Sequence, residues 1–334
     1  MNSFINAISV YLPESKLTNE NLNNEFPEWS AEKISSKTGI FERRISSDNQ
    51  FVSDLAIQAA LNLFEDHSID KNTIDFVLLC TQSPDYFLPT TACIIQDKLG
   101  LSTNCGALDF NLGCSGFVYG LALANGLIAG GTANNVLLIT SETYTKFINR
   151  EDKSNRTIFG DAAAACLISS GDDSGSIRKF VFGTDGSGAK NLIVKNGAVR
   201  FPLCDAINVY SENEFVSNDN NLYMNGQEIF KFTTGSVPVL VQDCLAKNNL
   251  SLEDIDLFVF HQANKFMLDY IRRKINIPVD KFFMHFENIG NTVSSTIPIA
   301  MSEALKTGKI KKGFKVLVAG FGVGYSYGAT VIEF

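Results

Sequence analysis

Short apolar runs alternate along this chain with segments of helical period, and the alternation sets the order of its elements. Phe4 to Tyr11 reads as a strand that ends at Pro13, and Leu17 to Glu20 opens a polar helical segment with Thr18 or Asn19 placed to cap it. Thr38 to Arg44 is a turn leading into a short basic strand. Val52 to Phe64 carries Leu55, Ala56, Ala59, Ala60 and Leu63 at helical spacing. Thr73 to Cys80 is a continuous apolar run of strand length, the pattern of a strand covered on both faces. After a loop from Pro84 to Pro89 come a helix at Thr91 to Leu99, a strand at Cys105 to Asn111, a helix at Ser115 to Ile128 and a buried strand at Val136 to Thr140. Phe159 to Ile168 closes this series, which predicts an α/β fold with a mostly parallel sheet.

Residues 171 to 226 are more polar, with an Asn-rich stretch from Asn208 to Asn221, and read as strands plus a surface excursion. Helix and strand then resume: a helix over Gln227 to Asn248, a strand over Ile255 to His261, and strand, helix and strand over Phe282 to Phe286, Ser294 to Leu305 and Lys315 to Ala319. The order repeats. Phe76 to Gln82 resembles Leu257 to Gln262 in residue type, Gly113-Cys114 before an apolar helix matches Gly290-Asn291 before another, and Val136 to Ile139 matches Val316 to Ala319. Two similar halves follow, residues 1–170 and 171–334. A pseudo-twofold axis between them would bring Cys114 and Asn291 to one site.

Composition narrows the class more than it identifies it. In 334 residues, 45% are hydrophobic and 19% charged, an ordinary globular balance. The net charge of −8 argues against generic nucleic-acid binding, and no apolar run has the length of a membrane span. Seven scattered cysteines without a CxxC pair suggest neither a disulfide framework nor zinc, and three dispersed histidines suggest no metal site. With no signal-peptide pattern at the start, a cytoplasmic location with reduced thiols is expected.

Candidate chemistry centres on Gly113-Cys114-Ser115-Gly116, where a strand gives way to a small-residue helix. Unpaired amides and the dipole at a helix N-terminus favour a thiolate. The alternative is a buried cysteine used as a small hydrophobe. His261 stands at the C-terminal end of a buried strand, where catalytic groups of α/β sheets collect, and Asn291 lies in a loop-to-helix turn. Taken singly, these would be a strand-end histidine and an N-cap asparagine. Taken together, they suit a thiolate that accepts an acyl group, with an imidazole N–H and a carboxamide N–H to stabilise an enolate formed by decarboxylation. The glycine-rich stretch Gly320 to Ala329 would add backbone amides to an oxyanion hole, or be a plain hairpin turn.

Lys37 to Ile40 with Glu42-Arg43-Arg44, Gly113 to Gly116, Phe159-Gly160-Asp161, Met224 to Lys231, His261-Gln262-Ala263-Asn264, Gly290-Asn291-Thr292 and the Phe321 to Gly328 turn together resemble the β-ketoacyl-acyl-carrier-protein synthase III family of the thiolase superfamily, over essentially the full length. The resemblance implies a thiolase-like five-layered αβαβα fold, a homodimer, and an acyltransferase that needs no cofactor beyond its acyl-CoA or acyl-carrier-protein substrates. It places the catalytic set on Cys114, His261 and Asn291, and the oxyanion amides on Cys114 and Val323, where glycine is usual. It makes Phe87 and Leu88 part of a loop that closes the partner's acyl pocket.

The resemblance also locates departures. Lys33 stands where the family's adenine-stacking tryptophan is usual, and Lys153, with Arg156 nearby, stands for the arginine on the other face. Lysine lacks a planar stacking face, which leaves the donor open between acyl-CoA and acyl-carrier protein. Lys231 and the cluster Arg272-Arg273-Lys274 are the expected basic contacts for an acidic carrier protein, although Phe266 replaces a family arginine after the histidine. The expected reaction is a decarboxylating condensation of acyl-Cys114 with malonyl-acyl-carrier protein, as in fatty acid biosynthesis. Alternatives are acyl transfer to an oxygen or nitrogen nucleophile in a specialised pathway, and an inactive dimer partner.

Overall fold

Buried strands with alternating side chains can serve two hydrophobic layers at once, which is how one chain stacks sheets and helices in depth. The computed structural model describes residues 2–171 and 175–334; Met1 of the expected first half and residues 172–174 of the expected excursion lie outside the described residues. Leu78, Val136, Leu138 and Ile168 of one sheet meet Leu257, Val259, Val316 and Val318 of the other across a central core. That core also holds the helices Gly116–Ala129 and Thr296–Lys306. The alternate residues Val77, Leu79, Leu137 and Ile139 pack outward against the helices Val52–Asp66 and Thr91–Leu99. On the far side, Phe258, Phe260, Leu317 and Ala319 pack under the helices Gly226–Lys247 and Lys265–Ile275. Helix, sheet, helix, sheet, helix: five layers result. Gly116–Ala129 is mostly apolar because its buried residues face two sheets, and Leu123 on its remaining side stands exposed.

The first sheet runs Ser3–Tyr11, Ala162–Ser170, Asn135–Glu142, Phe76–Cys80, Gly106–Phe110. Only Phe76–Cys80 is parallel to its neighbours; the other two pairings are antiparallel. In the second sheet Leu257–Phe260 lies parallel to Lys315–Gly322, which turns back antiparallel as Ser326–Glu333. Both sheets are therefore mixed, where a mostly parallel sheet was expected. The C-terminal return needs only a tight turn after Gly322, whereas a parallel neighbour needs a crossover. The Gly320 to Gly328 stretch is that hairpin and its turn.

Thr18 caps the helix Asn19–Glu25 through its side chain, one of the two caps expected. Phe282 to Phe286 departs from expectation: it forms no strand, only a bridge between Phe282 and Phe258. The Gln262 side chain takes over part of the ladder's role there, donating to the Phe260 carbonyl at 2.5 Å and accepting from His285 N–H at 2.8 Å. The polar excursion contains the hairpin Val209–Ser211 and Glu214–Ser217 and the short pair Leu192–Val194 with Leu222–Met224. Among the described residues, no helix is long and apolar enough to cross a membrane.

Candidate active site

Cys114 lies in the loop between Gly106–Phe110 and the central helix, one residue before the helix's N-cap, Ser115. The C-terminal hairpin packs directly on it. A Cβ on Gly322 would fall 2.8 Å from Cys114 Cβ and 2.9 Å from Sγ, and one on Gly320 would fall 2.7 Å from the Cys114 carbonyl. Glycine is required at both positions by that close approach. Ser115 Oγ and Ser326 Oγ, 2.6 Å apart, fasten the helix start to the hairpin.

The backbone N–H groups of Cys114 and Val323 both hydrogen-bond toward the sulfur and lower its pKa. They do not win. Burial, reinforced by the charge of Glu142, pushes the Cys114 thiol up to about 12, opposite to the direction expected from the helix terminus. At rest Cys114 is a thiol. Val323 in place of glycine is accommodated because the left-handed geometry of the turn falls on Gly324, with φ of 132°.

His261 follows the strand Leu257–Phe260 and is fixed by its N–H donating to the Ala319 carbonyl at 2.8 Å. Burial pushes its imidazole pKa down to about 3, so the ring is neutral. Nδ1 sits 2.8 Å from Thr296 Oγ1, and Nε2 faces Asn291 Nδ2 at 3.5 Å. Asn291 is held by its backbone to the first half: its N–H donates to the Ile158 carbonyl at 2.9 Å and its carbonyl accepts from Gly160 at 3.0 Å. Its side-chain oxygen accepts the Val293 N–H at 2.9 Å, which turns the carboxamide NH2 toward the imidazole. Val293 adopts φ of 55°, a strained geometry for a β-branched residue.

Cys114, His261 and Asn291 meet at one cavity of about 400 Å³. Its other walls are largely apolar, with Leu192, Met224, Phe230, Met267 and Phe321 among them. An apolar cavity with a thiol and two polar side chains in its wall suits a thioester.

Glu142 is a site residue the sequence did not reveal. It is fully buried at the end of Asn135–Glu142, and accepts from Gln82 N–H, Ser83 Oγ and Ser294 Oγ, the last at 2.8 Å. Among the described residues no cation hydrogen-bonds it, and burial pushes its carboxyl up to about 8. Thr296 and Val293 were missed as well, because a single hydroxyl or a strained backbone leaves no trace in hydrophobic pattern.

The remaining expected residues lie apart from the cavity. Phe87 and Leu88 project from their loop, 78% and 84% exposed. Lys33 Nζ donates to the Glu28 carbonyl at 3.1 Å and lies over the Trp29 ring, as does Lys37. Lys153 Nζ lies 2.9 Å from both Glu28 and Glu214, and Arg156 pairs with Glu25. Lys231 is solvated, 3.8 Å from Glu228. Arg272, Arg273 and Lys274 donate to the carbonyls of Ile277, Asp269 and Thr234. Of that cluster, Arg273 alone borders the polar groove next to Lys265 and Phe266. Among the described residues no group of His, Cys, Asp or Glu is placed to hold a metal ion.

Two stacked sheets, a thiol before one central helix, and a histidine and asparagine beside the other define a thiolase-fold enzyme of the thioester-condensing class. Comparison with known proteins narrows the class. Residues 108–186 match the family model 3-oxoacyl-[acyl-carrier-protein (ACP)] synthase III, and residues 245–334 match the model of its C-terminal part. The β-ketoacyl-[acyl-carrier-protein] synthase III of Clostridium perfringens is 38% identical over 98% of each chain. A Staphylococcus epidermidis protein, β-ketoacyl-[acyl-carrier-protein] synthase III 2, is 37% identical over 100% of this chain and 99% of its own. A crystal structure of a 3-oxoacyl-(acyl-carrier-protein) synthase III superposes with a TM-score of 0.98 at 46% identity over the whole of both chains. The corresponding enzyme of Thermus thermophilus gives a TM-score of 0.88 at 34% identity over 99% of each chain. The chain belongs to the β-ketoacyl-acyl-carrier-protein synthase III family.

Proposed function

We propose that this enzyme joins an acyl thioester to malonyl-acyl-carrier protein with loss of carbon dioxide, using Cys114 as nucleophile and His261 with Asn291 as the enolate site. The convergence of these three side chains on one apolar cavity carries this reading. In the first half-reaction the Cys114 sulfur displaces the donor thiol, which leaves with the proton the cysteine gave up. In the second, malonyl thioester loses carbon dioxide, and the resulting enolate carbon attacks the acyl carbonyl. The 3-oxoacyl thioester departs, and the released Cys114 thiolate takes up one proton. The amides of Cys114 and Val323 hold the acyl oxygen, replacing the contact they make with sulfur at rest.

Decarboxylation makes its own carbanion, so the second half-reaction asks for hydrogen-bond donors and no base. An imidazole held near 3 fits that demand and would be a poor general base at neutral pH. Acyl transfer to an alcohol or amine would need such a base, which favours condensation. The complete trio argues against an inactive partner.

The active form is read as a cytoplasmic homodimer of chains whose halves are residues 1–170 and 171–334, with acyl-CoA or acyl-carrier protein as donor and no separate cofactor. The outer strand Gly106–Phe110 has an unpaired edge, and Tyr86, Phe87 and Leu88 stand exposed near it on a loop that enters from the neighbouring strand. The basic contacts of the carrier protein are assigned to Lys231 and Arg273, with Lys33, Lys153, Arg156, Arg272 and Lys274 around them.

Intact-mass measurement with a panel of acyl-CoA and acyl-carrier donors tests this function. The expected result is one acyl adduct on Cys114 that malonyl-acyl-carrier protein discharges as a 3-oxoacyl carrier. Discharge by water or amines alone, with no 3-oxo product, would refute it.

A further inference from the structure

Condensation asks His261 to donate from Nε2, yet the hydrogen bonds around the resting ring favour the opposite tautomer. Neutral imidazole has one N–H donor and one lone pair, and the partner at one nitrogen decides which face is which. The Nδ1 side meets two oxygens. The Val293 carbonyl is a hydrogen-bond partner of the ring and accepts only. Thr296 Oγ1, 2.8 Å from Nδ1, also stands 3.1 Å from that same Val293 carbonyl. When the Thr296 hydroxyl donates to Val293, Nδ1 must carry the proton. Nε2 is then a bare lone pair, and Asn291 Nδ2, facing it at 3.5 Å, supplies the hydrogen on that side. In that arrangement the imidazole has nothing to give a thioester oxygen.

One hydroxyl can reverse this. If Thr296 turns to donate to Nδ1, the ring takes a proton from water at Nε2 and returns the Nδ1 proton to water, one gained and one lost, with no net change in charge. We propose that Thr296 is a positioning residue that sets the tautomer of His261, its hydroxyl switching from the Val293 carbonyl to Nδ1 when the second thioester enters. The assignment rests on the condensation reading above. Thr296 is buried at the first turn of the central helix Thr296–Lys306, and Val293 holds its strained φ of 55° while offering its N–H to Asn291 and its carbonyl to Thr296. One backbone residue thus orients both members of the donor pair.

Nitrogen-15 spectra of histidine-labelled enzyme separate protonated from bare ring nitrogens, with His67 and His285 assigned by substitution. Resting enzyme should show Nδ1–H at His261, and acyl-enzyme bound to a decarboxylation-resistant malonyl thioester should show Nε2–H. Thr296→Val keeps the shape and removes the hydroxyl. It should still form the acyl adduct, hold His261 as Nδ1–H, and lose condensation by at least about ten-fold. Thr296→Ser should restore condensation to within about three-fold. Wild-type enzyme that keeps Nδ1–H with the analogue bound would overturn the proposal, as would valine variant that condenses at the normal rate. Should the valine variant fail to take the acyl group, the wild-type spectra and the serine variant still decide, and a serine variant that condenses no better than valine counts against it. An enzyme that makes no 3-oxo product fails the functional reading separately, while the resting tautomer is still read from the spectrum.

Discussion

Replacing Glu142 by glutamine should change how stability depends on pH across the neutral and mildly acidic range. The carboxyl is raised from 4.5 to about 8, chiefly by burial, with the charge of Asp161 acting in the same direction and three hydrogen-bond donors opposing. In the unfolded chain the group ionises near its ordinary value. Between that value and about 8, the unfolded state has lost the proton that the folded state keeps. Each pH unit in the window therefore favours unfolding by about 1.4 kcal/mol. Over roughly 3.5 units the loss sums to about 5 kcal/mol: stability fully present below 4.5 and gone above about 8. E142Q cannot ionise; its one amide oxygen can accept from either Ser83 or Ser294, and the serine left facing the NH2 must turn to accept from it. Urea unfolding of both proteins at one fixed concentration, from about pH 5 to 9, measures the difference. Wild type should lose several kcal/mol relative to E142Q as pH rises to 8, and the gap should then level off. Parallel curves across the range would refute the reasoning. The same charge pushes up the Cys114 thiol, so wild-type acylation should slow above about pH 8 while acylation by E142Q continues.

Other substitutions divide the site by step. If the Asn291 amide serves only the second thioester, as proposed, Asn291→Ala should leave the acyl adduct forming at near-normal rate and cut condensation by about 10²- to 10³-fold; equal loss of both steps in rapid-quench assays would contradict that role. Gly322→Ala places a methyl 2.8 Å from Cys114 Cβ and should slow adduct formation at least about ten-fold by intact mass, with a stability cost of about 1–3 kcal/mol. Phe87→Asp replaces a ring that is 78% exposed with a charge and should shift the sedimenting species toward monomer if that loop crosses between copies; an unchanged sedimentation coefficient would remove the loop from the interface.

The sequence was most informative where chemistry follows periodicity. The runs at Phe76–Cys80 and Asn135–Glu142 alternate between two cores, and their apolar continuity announced strands covered on both faces. The glycines of Gly320 to Gly328 marked a backbone that must approach Cys114 closely. What failed was long-range. Phe282 to Phe286 has a strand's composition, but the side chain of Gln262 captures its backbone. The thiol's helix terminus was legible, whereas the burial and the Glu142 charge that outweigh it come from residues distant in the chain. The basic cluster Arg272-Arg273-Lys274 was legible as charge, but the backbone carbonyls that its side chains reach were not.

Condensation through an acyl-enzyme requires Cys114 to carry the acyl group between two substrates. The most direct test follows one acyl equivalent through a single turnover, with wild type and Cys114→Ala side by side. Acylated wild-type enzyme given malonyl-acyl-carrier protein should release one carbon dioxide for each acyl group lost, with 3-oxoacyl carrier formed in equal amount, and the alanine variant should take no acyl group at all. An adduct that persists on the alanine variant, or acyl loss from wild type without matching carbon dioxide, would contradict the claim.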